Sequence, residues 1–347
     1  MPEQRTIHRV HAASVKYGEN PYQKSAGLFR DPECEDPLAV PNFELREGSP
    51  PSFNNYADVD RLLQTITHIA AGLEKNGMPV TNIAIGAKHG NMCGGSVNDD
   101  PLIATAQMLD GDPLAIFGGL TMSNFVLDKS VATTLQTHGM PADRKRLLDG
   151  VIAADVDEAV LEMMQRKGGK LRILTNKALG SIGLDSLDTA ERFRYVRGGM
   201  LVQDNYTFVP KLPELIPGTD RRLTDELKHD LVLAWAIGST STSNTITLVN
   251  GGQLIGNGVG QQDRVAAAEL ALRRVKRSKH AAVGAVAYSD SFFPFPDGPQ
   301  VLVDAGISAI FTSSGSINDE TVLKTFKKAG VDVFTVPDVE GRGFYGH

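Results

Sequence analysis

An α/β layered fold follows from three features of the chain. Short apolar runs of strand length alternate with segments whose apolar residues recur at helical spacing. The same rhythm runs through both halves, although no stretch of sequence repeats. The chain's 347 residues also exceed what one hydrophobic core usually serves, so two or more lobes are expected.

Residues 1–51 are rich in Pro, Glu and Asp and short on periodic pattern, which predicts loop with brief extended pieces. Residues 58–74 carry apolar residues at helical spacing with acids in the first turn. NIAIGA, residues 82–87, predicts a buried strand running into a glycine-rich loop at KHGNMCGG. Residues 101–109 predict a helix, and 113–122 an apolar stretch with a Gly pair. Residues 147–153 predict a strand, 156–166 a helix and 171–174 a strand. In the second half, helices are expected over 225–237, 265–275, 300–305 and 320–329. Strands are expected over 245–250, 253–260, 282–288, 309–312 and 331–335. Pro, Gly and charges cluster over 210–224, which places the boundary there: a first lobe over 1–210 and a second over 211–347.

Composition narrows the function classes. A net charge of -6 argues against a broad nucleic-acid surface while leaving room for a small basic phosphate pocket. Two cysteines, Cys34 and Cys93, cannot build a multi-disulfide framework. No apolar run suits export or a membrane helix, so a cytoplasmic protein without membrane partners is expected.

Five polar clusters could carry chemistry. Lys88-His89-Gly90-Asn91 follows a strand, where α/β sheets gather ligands. A lysine beside a histidine offers a cation for a developing oxyanion and a base near neutrality, as acyl transfer to a poor amine needs; an exposed Lys-His pair is the plainer reading. His89 and Cys93 are too few ligands for a metal site. Residues 240–244, Thr-Ser-Thr-Ser-Asn, could orient an amide or amine, or form an ordinary turn. Residues 256–264 offer GxGxG in the wrong spacing for a dinucleotide, but Gly-rich backbone before Arg264 suits an anion. SDSFFPFPD, residues 289–297, is either core or a stiff wall for a flat heterocycle. Residues 313–320 form a polar turn into a helix, by capping or for anion binding.

Each signal is weak alone, but their order is specific. KYGENPYQ, FNNYADVD, KHGNMCGG, GDPLAIFGG, LLDGVIA, YVRGGMLVQD, AWAIGSTSTSN, IGNGVGQQDR, SDSFFPFPDG and SSGSINDE together resemble the AICAR transformylase family, from about Val15 to the C-terminus. The resemblance implies two cytidine-deaminase-like α/β/α lobes without the deaminase zinc, and a homodimer with active sites at the subunit interface. It implies formyl transfer from the co-substrate 10-formyltetrahydrofolate to the 5-amino group of AICAR, with no metal in catalysis. Carried over by motif, His89 is the general base, Lys88 the transition-state stabiliser and Asn244 the group that orients the acceptor. Lys16, Tyr17, Gly118, Asp149, Arg264 and Arg342 would hold the ribonucleotide; Val265, Phe292, Asp297 and Ser316 would line the folate side. The family's usual IMP cyclohydrolase domain is not expected in this chain.

Departures fall at the periphery. Lys16 stands where the family has arginine, which removes the bidentate phosphate fork. Tyr22 and Met92 replace a histidine and a proline, Ser239 and Thr242 stand at positions of family lysines, and the C-terminus reads GRGFYGH rather than a basic tail. The chain is also shorter around 37–51 and 175–191. These changes leave the acceptor open: AICAR itself, an AICAR-like amine in specialised metabolism, or a nucleotide bound without catalysis.

Overall fold

The computed structural model describes residues 5–346; residues 1–4, part of the segment read as loop, and residue 347 lie outside the described residues. β1 (Val10–Ser14) and β2 (Gly27–Arg30) pair as a separate antiparallel hairpin, and β3 (Glu44–Glu47) follows. α1 (Phe53–Lys75) begins five residues before its apolar period, because Ser52 and Asn55 cap each other reciprocally at 3.0 and 3.2 Å. Next come β4 (Asn82–Lys88), β5 (Asn91–Asn98), α2 (Pro101–Gly111), β6 (Leu120–Ser123), α3 (Lys129–Thr137), β7 (Gly150–Ala153), α4 (Glu158–Met164) and β8 (Arg172–Thr175). β9 (Arg192–Val196) and β10 (Gly199–Gln203) form a second isolated hairpin. The second half runs α5 (Asp225–Ser239), β11 (Ile246–Asn250), β12 (Gln253–Gly258), α6 (Arg264–Arg277), β13 (Val286–Ser289), α7 (Asp297–Asp304), β14 (Ala309–Ser314), α8 (Asp319–Lys328), β15 (Asp332–Pro337) and α9 (Asp338–Gly341).

Eleven strands form one mixed sheet in the order β15-β14-β13-β11-β12-β5-β4-β6-β7-β8-β3. The α/β class is as the sequence predicts, but the halves share this sheet instead of closing separately. They join where β12 lies antiparallel to β5, with Gln253 opposite Ser96. Each half repeats one plan: helix, antiparallel hairpin, then three strands with intervening helices, in the sheet orders β5-β4-β6-β7-β8 and β12-β11-β13-β14-β15. α1 and α5 cover one face in a single core shared by both halves, including Ile66, Ile69, Leu231 and Trp235. The other face carries two cores, one under α2, α3 and α4 and one under α6, α7 and α8. No helix among the described residues is long and apolar enough to cross a membrane.

One expected loop is a strand. KHGNMCGG turns directly into β5, whose Gly94 and Gly95 are buried. A Cβ on Gly94 would sit 2.0 Å from the Met108 carbonyl oxygen, so glycine is what lets α2 lie on this strand. Composition alone reads such glycines as loop.

Strand directions then fix where the chemistry falls. The pairings place the ends of β4, β12, β13, β14 and β15 at the same edge of the sheet as the starts of β5, β6, β7, β8 and β11.

Candidate active site

Lys88 ends β4 and Asn91 starts β5, so His89-Gly90 is a two-residue hairpin turn. Both residues have positive φ, 53° and 73°, the pattern of a type I′ turn. This projects His89 into solvent while Lys88 stays half-buried. The Lys88 Nζ donates to the Phe117 carbonyl at 2.6 Å. Gly118, at φ 70°, donates its N–H to the Leu147 carbonyl at 2.8 Å, and the Asp149 N–H donates to the Gly119 carbonyl at 3.0 Å. Lys88, Gly118 and Asp149 are therefore neighbours at the entrances to β6 and β7.

Asp58, which sequence reasoning did not single out, holds this turn. Its Oδ1 accepts the Gly90 N–H at 2.7 Å. Burial raises its pKa, and the Gly90 N–H and the nearby His89 and Arg61 oppose that rise. The repeated fold explains its role. In the second half the hairpin turn is Gly251-Gly252, and Asp230 accepts from both N–H groups at 2.9 and 2.6 Å. Asp58 and Asp230 are each the sixth residue of the preceding helix. The second turn keeps its aspartate without any histidine, so Asp58 is a scaffold carboxylate to which the first half adds a Lys-His pair.

The second half contributes the other candidates at the same edge. Asn244 precedes β11; its Nδ2 donates to the Gln261 carbonyl at 3.0 Å, and its backbone exchanges two hydrogen bonds with Gln261. Its Oδ1 accepts no hydrogen bond among the described residues. The Thr242 N–H donates to the Asn91 Oδ1 at 3.1 Å, and the Asn257 Nδ2 donates to the Met92 carbonyl at 3.1 Å. These bonds tie the Asn244 loop to the strand that follows His89.

Arg264 opens α6 with Val265 beside it, half-buried. Its Nη2 donates to Asp290 at 3.1 Å, and its buried Nε has no acceptor. Burial raises the Asp290 carboxyl, and the Arg264 charge opposes the rise. Arg342 pairs with Asp338 at 2.5 Å and lies 5.8 Å from the centre of the half-buried Phe292 ring. Asp297 is exposed at the start of α7. Ser316 accepts from the Asn318 N–H at 3.2 Å, and the Asn318 Nδ2 reaches the Pro294 carbonyl at 2.7 Å, which ties the Ser316 turn to the FFPF segment.

Three arrangements differ from a compact constellation. Lys16 and Tyr17 lie between β1 and β2, bonded to no other candidate residue; Lys16 is exposed and Tyr17 faces Lys24 at 5.9 Å. Asp149 enters β7, whereas Arg342 lies beside Phe292 and next to Gly343, whose N–H donates to the Asp290 carbonyl just after β13, six positions away in the sheet order and roughly 30 Å along a flat sheet. The C-terminal segment, read from sequence as Arg342 followed by a lost basic tail, is locked into the fold at Tyr345. The Tyr345 N–H donates to the Ser241 carbonyl at 3.0 Å, and its ring lies 4.2 Å from Arg61 and 3.5 Å from Arg192. Arg61 also donates to the Thr240 carbonyl at 2.9 Å, and burial pulls its pKa down to about 10.

Cys93 is buried and its thiol donates to the Gly86 carbonyl at 3.5 Å; burial pushes its pKa up to about 12, so it is a poor thiolate ligand. Among the described residues no group of three or more His, Cys, Asp or Glu could hold a metal ion.

The chain is 33% identical over 336 residues to the bifunctional purine biosynthesis protein PurH of Anoxybacillus flavithermus, covering 96% of this chain and 60% of that protein. PurH of Deinococcus deserti is likewise 33% identical over 338 residues, with 96% and 61% covered. The chain thus spans about 60% of the length of the curated relatives it matches. The sequence model described as the AICARFT/IMPCHase bienzyme matches residues 1–274. By the match of that family's model over residues 1–274, this chain belongs to the AICARFT/IMPCHase bienzyme family.

Proposed function

We propose that the chain transfers the formyl group of 10-formyltetrahydrofolate to the 5-amino group of AICAR in purine biosynthesis. The observation that carries this reading is the exposed His89 turn with Lys88 beside it, hydrogen-bonded through the next strand to the Asn244 loop. The acceptor amine is a poor nucleophile, because its lone pair is delocalised into the imidazole. Its nitrogen bonds to the formyl carbon and yields its proton to the His89 imidazole. The bond from the formyl carbon to folate N10 then breaks, and N10 takes up a proton. The Lys88 ammonium stabilises the negative charge of the tetrahedral intermediate. Asn244, with Oδ1 open, accepts from the acceptor's amine or carboxamide. Val265, Phe292, Asp297 and Ser316 line the folate side. The repeated strand order supports reading each half as a cytidine-deaminase-like unit.

The acceptor's phosphate is assigned to Lys16 with Arg264 and Arg342. Lysine offers a point charge where arginine would offer two parallel bonds. Lys16→Arg is therefore expected to tighten AICAR binding by up to about tenfold. Calorimetric titration with AICAR and with its dephosphorylated nucleoside tests this. Equal affinity for the two ligands, unchanged in the variant, would remove Lys16 from phosphate recognition.

The working unit is a homodimer with shared sites. Asp149 at β7 and Arg342 beside the end of β13 stand six positions apart in the sheet order of one chain, roughly 30 Å and more than one phosphoribosyl aminoimidazole spans, which favours joining the first-half set of one copy to the second-half set of another. The β9–β10 hairpin supports a partner too: Tyr195 and Leu201 are 81% and 58% exposed on a two-stranded ribbon that lies outside the sheet. Inactive His89→Ala and inactive Arg342→Ala proteins, mixed and reassembled, are expected to recover part of the wild-type rate. Monomers at micromolar concentration with full activity would refute the shared site.

A further inference from the structure

A cavity of about 220 Å³ lies between α3, α4 and residues 145–148, away from the His89 turn. Leu135, Met163 and Met164 give it apolar walls, and Lys145, Arg146 and Arg166 also line it. None of these three cations forms an ion pair among the described residues. Arg146 is only 7% exposed: one Nη donates to the His138 carbonyl at 2.7 Å, and its buried Nε has no acceptor. The acid whose charge acts on Arg146 is Asp110, and both of its carboxylate oxygens already lie 2.9 Å from His138 Nε2. Arg166 donates to the Leu148 carbonyl at 2.7 Å, and the exposed Lys145 bonds to nothing among the described residues.

A buried guanidinium nitrogen without an acceptor is costly, and three cations without a counter-carboxylate leave an unbalanced positive site. Apolar walls add a second demand, which water alone does not meet. We propose that this cavity binds a small amphiphilic anion, its carboxylate or phosphate head on Arg146, Lys145 and Arg166 and its aliphatic body against Leu135, Met163 and Met164. The site is separate from the nucleotide and folate positions. It shares a wall with them, because the Leu147 carbonyl that accepts from Gly118 belongs to the segment lining the cavity.

Sodium octanoate titrated calorimetrically into the intact protein tests the site, with octylamine and inorganic phosphate as separate arms. Octanoate is expected to bind once per chain and octylamine not at all. Inorganic phosphate, which lacks the aliphatic body, is expected to bind at least about tenfold more weakly than octanoate. Lys145→Gln, an exposed change that disturbs no bond, is expected to weaken octanoate about three- to tenfold and more so at low salt. Arg166→Met should weaken it further. No octanoate binding, equal binding of octylamine, phosphate bound as tightly as octanoate, or octanoate displaced by AICAR and unaffected by Lys145→Gln would each overturn the proposal.

Discussion

His89→Ala is expected to lower turnover by about 10²–10⁴-fold, the usual cost of a lost general base. The fold should survive, because the turn is held by the Asp58–Gly90 bond and by the β4–β5 ladder, and not by the imidazole. Alanine inherits the left-handed conformation at φ 53°, so His89→Asn is the cleaner companion: asparagine tolerates that region and supplies no base. Both variants should unfold near the wild-type temperature and be nearly inactive. Lys88→Ala is expected to lower kcat more than it raises KM, because its charge meets one that forms only in the transition state. Near-normal turnover in either His89 variant would remove that residue from the mechanism.

Arg264→Met is expected to cost about 3–5 kcal/mol of stability, as when one partner of a buried pair is removed. Asp290 is fully buried, accepts from the Thr245 N–H at 3.1 Å, and has Arg264 as its counter-ion at 3.1 Å. Its folded pKa already lies above the usual carboxylate value because of burial, and loss of the arginine charge raises it further. A raised folded pKa means that the folded state binds the proton more tightly than the unfolded chain does. The variant should therefore regain stability as pH falls from neutral towards the ordinary carboxylate range, and lose it again as pH rises through the folded value. Arg264→Met combined with Asp290→Asn should recover much of the loss at neutral pH. Urea unfolding across that pH range measures both effects; a variant as stable as wild type at neutral pH would show that the pair is dispensable.

The α/β alternation was legible because most strands are short apolar runs and most helices carry a clear apolar period. The elements that escaped have physical reasons. β5 is half glycine and polar because α2 lies directly on it, so it reads as loop. The β9–β10 hairpin exposes nearly every side chain and has no buried face to leave a pattern. The single sheet was not legible either, since its join depends on one register position between β12 and β5. At the site, the Lys-His turn and the Asn244 loop were legible from residue type and order. Asp58 and Tyr345 were not, and Asn91 was read only as a member of the polar cluster, because each acts by bonding backbone, or by stacking, across long separations in sequence. The repeated Asp58 and Asp230 positions are a signal that only aligning the two halves on their folds could expose.

Formyl transfer is tested most directly by incubating the purified chain with 10-formyltetrahydrofolate and AICAR and following tetrahydrofolate release together with the mass of the nucleotide product. Stoichiometric tetrahydrofolate and a nucleotide heavier by one formyl group in place of hydrogen are expected, both abolished in the His89→Asn protein. A protein that binds both substrates and releases neither product, or one whose product forms equally well without His89, would contradict it.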